Sequence, residues 1–182
     1  MEMFEEQYRF YGKHADMVNE LTNVFEDKLN TKVFNSNIEL LLVAPLVGFV
    51  YQKKAERDRS DGAASNTESI FPPELIKRQK ALEYNVKLIL LLDKKYEPDE
   101  TKRIDKAFRY FGNNNEDYEL FQSYVLGGVE VLHEKLIEDS NSPNDYVNKI
   151  CDFLEDFDQL YNRGVTNEII LEKCKEVEEK SE

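Results

Sequence analysis

The sequence predicts an all-α protein, an irregular bundle of six to seven helices in a single domain. Apolar residues recur every three or four positions along most of the 182-residue chain, the spacing that puts them on one side of a helix. Only 7 Gly and 5 Pro interrupt it, too few for a turn-rich β-sandwich. No run alternates convincingly between apolar and polar, and Lys32-Val33-Phe34 is the sole short candidate for a strand.

A first helix is expected near residues 13–29, where Met17, Leu21, Val24 and Phe25 fall on one side, ending at Asn30-Thr31-Lys32. A second begins at the cap-type residue Asn37 and runs to about Arg59, with Pro45 expected to kink or split it. Residues 60–72 are small and polar and read as a mobile loop, with Phe71 anchoring its end. A third helix follows Pro72-Pro73 and reaches about Lys95, and its segment Val86–Leu92 is apolar nearly all round.

The fourth helix spans about Asp99 to Phe111 and stops at Gly112. Ile104, Ala107, Phe108 and Phe111 are expected to face inward, and Lys102, Lys106 and Arg109 outward with Arg103 beside them. A fifth covers residues 116–138 with Phe121, Val125, Gly128, Leu132 and Leu136 inside. Gly127-Gly128 costs it about 1 kcal/mol per residue, which implies a close backbone crossing or a break. A sixth starts at Ser142-Pro143 and runs to Tyr161 through Val147, Ile150, Leu154 and Phe157. Thr166 would cap a seventh, charged helix through Val177, and residues 178–182 would fray.

The formal charge is −13, from 37 acidic and 24 basic residues. Such a field disfavours general nucleic-acid and anionic-membrane binding and favours basic partners. The N-terminus lacks the pattern of a secretory signal, and the apolar run Leu40–Tyr51 is too short to span a bilayer. Cys151 and Cys174 are isolated and read as reduced thiols, so a cytoplasmic location is expected.

No phosphate loop, dinucleotide fingerprint or nucleophile elbow is present, and neither a cofactor nor a metal is expected. Glu130-x-x-His133 puts a carboxylate and an imidazole on one side of a helix, but a di-iron site needs a second such pair. A pocket around Glu130, His133 or His14 is the place where dispersed catalytic residues would meet. Glu168, Glu172 and Glu176 line one side of the last helix as a docking face for a basic protein. Phe4, Tyr8 and Tyr11 crowd the N-terminus as candidate interface anchors or core fillers.

These features describe a small cytoplasmic adaptor or accessory subunit without catalytic function, with a protein partner and with self-association open. Two alternatives accompany it. One is a nucleic-acid-associated regulator using Lys102, Arg103, Lys106 and Arg109, joined by the clusters Lys53-Lys54-Arg57 and Lys77-Arg78-Lys80. The other is an acidic imitation of DNA that inhibits a nucleic-acid enzyme.

Overall fold

The fold is organised by two helices that cross at glycines. A computed structural model describes residue 4, residues 6–27 and residues 30–161. α2 (Asn37–Val50) and α5 (Asn115–Leu136) supply half of the buried core cluster. A methyl group on Gly128 would land on the Ala44 carbonyl oxygen and 2.9 Å from the Gly48 amide. One on Gly48 would meet the Tyr124 carbonyl and lie 2.9 Å from the Gly128 amide. The two backbones therefore touch without side chains between them, and the Gly pair expected to mark a crossing does so. The stripe Phe121, Val125, Gly128, Leu132 and Leu136 is buried as expected.

α2 is one continuous helix; Pro45 does not split it. Pro45 has no N–H for the preceding turn. Asn85 of α3 (Pro72–Leu92) donates from Nδ2 to the Leu42 carbonyl at 2.8 Å, stitching that turn to its neighbour. α2 stops at Val50, nine residues before the expected Arg59. Gln52 takes φ +53°, Ala55 donates to the Ser123 carbonyl at 3.0 Å, and the Lys53 carbonyl lies against Gly127. Good helix formers are here pulled into an extended path along α5, a tertiary override of local propensity.

The first helix is also shorter than expected. α1 is Lys13–Thr22, and Val24 and Phe25 belong to β2 (Val24–Glu26), which pairs antiparallel with β3 (Thr31–Lys32). A second two-stranded sheet joins β1 (Tyr8–Tyr11) to β4 (Thr67–Ile70), with Tyr8 opposite Ile70 and Tyr11 opposite Thr67. The segment 60–72, expected to be a loop throughout, thus ends in a strand whose Ile70 is buried. Turns at 61–65 precede it, and Gly62 sits there at φ +87°. Each strand is four residues or fewer, so helices remain the architecture: six α-helices among the described residues.

α3 begins with Pro72-Pro73 as expected and ends three residues before Lys95. The Asp99 side chain accepts the Lys102 amide at 3.0 Å and starts α4 (Glu100–Ile104), which runs into a π-turn at Asp105–Arg109. Arg103 and Ala107 face inward, while Ile104 and Phe108, expected in the core, are exposed.

α6 (Pro143–Tyr161) lies on α5 and β2. Asp145 caps it by accepting the Asn141 and Ser142 amides. Its inner row is Tyr146, Ile150, Phe153 and Phe157, with Tyr146 stacked on Phe25 at 4.8 Å. Val147 and Leu154, expected inside, are exposed. The helix after Thr166 and the tail 178–182 lie outside the described residues. No helix among the described residues is long and apolar enough to cross a membrane.

Candidate functional site

Two clusters of ionisable groups lie in the fold, and both hold segments together. Glu130 on α5 takes the Lys13 ammonium at 2.7 Å, the His14 Nε2 at 3.2 Å and the Lys53 ammonium at 3.4 Å. Burial alone would raise the Glu130 carboxyl, but Lys13, His14 and Lys53 together hold it below the ordinary value. His14 is fully buried and its Nδ1 is enclosed without a hydrogen-bond partner. The arrangement fits a neutral ring that donates from Nε2 to Glu130 and leaves Nδ1 bare. Burial accordingly lowers the His14 pKa, with Glu130 opposing.

His133, three residues from Glu130, goes elsewhere: its Nε2 meets Glu20 at 2.7 Å. The two residues of the Glu-x-x-His spacing do not converge on one ligand. Among the described residues no group of three or more His, Cys, Asp or Glu could hold a metal. Asp58 completes this region. It accepts the Lys13 amide at 2.9 Å and the Ser60 amide at 2.8 Å, which lowers its pKa to about 2. A Cβ on Gly12, at φ +55°, would collide with that carboxylate. Asp58 thereby supplies, from 45 residues away, the cap that α1 lacks in its own sequence.

The second cluster consists of two buried carboxylates, each bonded to a phenol and an ammonium. Asp93 accepts the Tyr124 hydroxyl at 2.7 Å, the Lys54 ammonium at 3.3 Å and the Tyr96 amide at 3.0 Å. Burial pushes its pKa up, but these donors outweigh that and leave it lowered. Asp117 accepts the Tyr96 hydroxyl at 2.6 Å and the Lys106 ammonium at 2.9 Å. Burial and the facing Asp push both phenols, Tyr96 and Tyr124, above their usual range. Every member of these triads is satisfied by the others, which suits a structural network.

That network takes apart the expected basic stripe. Lys106 is committed to Asp117. Arg103 is buried and donates to the Leu91, Glu97 and Pro98 carbonyls at 2.8–2.9 Å, so it is a strut and not a surface cation. Lys102 and Arg109 stay exposed, Arg109 beside Asp105 at 3.1 Å. Lys53 and Lys54 are paired, and Arg57 lies 3.4 Å over the Tyr11 ring. Lys77, Arg78 and Lys80 are exposed on α3.

The N-terminal aromatics are also core elements. Phe4 packs edge-on to Phe121 at 5.8 Å, Tyr8 is buried against Phe10, and Tyr11 is half-buried under Arg57. Phe4 and Tyr8 are therefore not presented to a partner. Glu168, Glu172 and Glu176 lie outside the described residues.

What sequence reasoning did not single out is a set of exposed apolar side chains. Ten large hydrophobic side chains are exposed among the described residues, and seven lie within residues 71–110: Phe71, Ile76, Tyr84, Leu92, Ile104, Phe108 and Tyr110. The same 40 residues hold ten Lys and Arg against seven Asp and Glu, a net +3 in a chain of −13. On α3 the inward stripe is Leu75, Leu82, Val86, Ile89 and Leu90. Ile76 and Tyr84 lie off that stripe, with Lys80 between them one turn from each. Lys87 follows, 4.4 Å from the Phe111 ring, so this row leads onto the π-turn. Phe108 there is 64% exposed and Tyr84 65%. The signal available in the sequence was the set of apolar residues left over once the α3 stripe is fixed.

No family model matches the chain, and no curated protein or solved structure matches it significantly.

Proposed function

We propose that this protein is a non-catalytic helical interaction module, an adaptor or accessory subunit of a larger assembly. It docks through the α3 and π-turn face. The observation that carries the reading is the concentration of exposed hydrophobics within residues 71–110, a stretch of net charge +3 in a chain of −13. Scattered surface hydrophobics are ordinary, whereas exposed aromatics beside basic side chains, as Tyr84 is beside Lys80 and Lys87 and Phe108 beside Arg109, have the composition of an interface core. The carboxylates of the ionisable clusters, by contrast, are taken up in contacts within the fold. Intracellular use in the cytoplasm accords with two isolated thiols in 182 residues.

The reading is tested by native capture with the intact chain and with a Tyr84→Asp/Phe108→Asp variant. The wild type should retain a stoichiometric protein partner that the variant loses, with unchanged circular dichroism. Equal retention by both removes this face from the account.

A second reading has its own support. Tyr84, Phe108 and Tyr110 are exposed aromatics on the same segment of chain as the exposed Lys77, Arg78, Lys80, Lys102 and Arg109, the ingredients of a stacking surface for single-stranded nucleic acid. It predicts retention of an oligonucleotide that falls steeply with salt and with Lys102→Ala/Arg109→Ala.

A further inference from the structure

We infer that the partner of the α3 and π-turn face is α6 of a second copy of this chain. The inference rests on the docking role proposed above and names its occupant. α6 carries five carboxylates, Asp145, Asp152, Glu155, Asp156 and Asp158, against the single Lys149. Its outer side exposes Val147 and Leu154, the latter at 60%. These lie seven residues apart, so they stand about 20° apart around the axis and about 10 Å apart along it. Ile76 and Tyr84 on α3 are eight residues apart, about 80° apart around the axis and about 12 Å along it, with Lys80 midway between them.

One row is apolar with basic neighbours, Lys77, Lys80 and Lys87. The other is apolar on an acidic helix, with Glu155 next to Leu154. Their lengths along the axis are similar and their charges are opposite, which is the electrostatic complementarity that favours the contact. Within one copy their main contacts among the described residues lie elsewhere. α6 packs on α5 and β2, while α3 packs on α2, α4, α5 and the π-turn. Each copy therefore offers both halves of a contact that is completed between molecules. The overall −13 charge opposes approach of two copies at long range. At about 0.15 M salt that repulsion is screened beyond about 8 Å, and the local pairing remains.

The experiment is sedimentation velocity of the full chain from about 1 to about 200 μM at about 0.15 M salt. The wild type should rise with concentration from 21.4 kDa towards twice that mass. Tyr84→Asp and Leu154→Asp each alter a well-exposed position, and each should weaken association at least about tenfold. An equimolar mixture of the two variants should associate again, because each brings one intact half. A wild type that stays monomeric throughout overturns the inference, as does association indifferent to Leu154→Asp. If the wild type is monomeric yet Tyr84→Asp loses a captured protein of another sequence, the docking role stands and only its occupant is wrong. Binding of an oligo-dT strand lost on Tyr84→Asp likewise overturns the self-contact and assigns the face to nucleic acid.

Discussion

Replacing Gly128 by Ala sets two effects of opposite sign against each other. Helix propensity favours Ala over Gly by about 1 kcal/mol in a helix interior, and in a chain of this size that alone would raise Tm by about 2–4 °C. The crossing with α2 opposes it. The new methyl would sit 2.6 Å from the Ala44 carbonyl carbon, on its oxygen, and 2.9 Å from the Gly48 amide. Ordinary carbon contacts are about 3.5 Å or more, so the helices must part by about 1 Å. Both obstacles are backbone, which no rotamer change can move aside. Overpacking of this kind costs up to about 3 kcal/mol, leaving a net loss of about 2 kcal/mol and a Tm lower by about 4–8 °C. Thermal unfolding followed by circular dichroism reads the sign directly. A Tm equal to or above the wild type would refute the glycine crossing as the centre of the fold. Gly62→Ala is the control: its methyl meets open space, so only its positive φ opposes it.

Other perturbations probe the remaining contacts. Arg103→Ala strands the Leu91, Glu97 and Pro98 carbonyls and should cost about 3 kcal/mol in urea unfolding, and Lys should not restore it. Unchanged stability would return Arg103 to the surface. Burial lowers the folded-state pKa of His14 below its ordinary 6.5, so the unfolded chain binds the proton first. Its stabilising share is then complete above pH 6.5 and declines as the pH falls through the folded value. His14→Gln should flatten that slope, whereas an unaltered slope would exclude His14 as its source. Asp93 and Glu130 add a second decline at lower pH, beginning below their ordinary 3.8 and 4.5, because their folded pKa values are also lowered. Asp93→Asn should remove part of that acid limb.

The helical class and the long helices were legible because their stripes are long and their ends carry local signals. Pro72-Pro73, the Asp99 cap and Ser142-Pro143 all start helices where expected. The strands were not legible for a simple reason. β1 and β4 are four residues each and separated by more than fifty, so neither shows enough alternation to stand out from a helix. The end of α2 was hidden because Gln52 to Glu56 are good helix formers, and the contacts that unwind them come from α5. Arg103 gave no warning of burial: its three acceptors are backbone carbonyls, which the sequence does not distinguish. Ile104 is exposed because Arg103, held by backbone carbonyls, takes the inward side of α4, and Phe108 because a period of 100° per residue does not hold through a π-turn.

The site was less legible than the fold. Glu130 and His14 were each considered beside His133, yet their pairing spans 116 residues and depends on how α1 lies against α5. The charged stripe on the fourth helix looked available because nothing in its local sequence announces Asp117 as the partner of Lys106. Ile76 and Tyr84 carry no local mark of exposure, since hydrophobicity alone does not say which residues lie off the buried stripe.

The most direct test of the docking face is site-specific photo-crosslinking in the native cell. A photoreactive phenylalanine at Tyr84 or Phe108 should yield discrete protein adducts, and one at exposed Asn19 on α1 should yield none of them. Adducts at Asn19 with silence at both face positions would contradict the account.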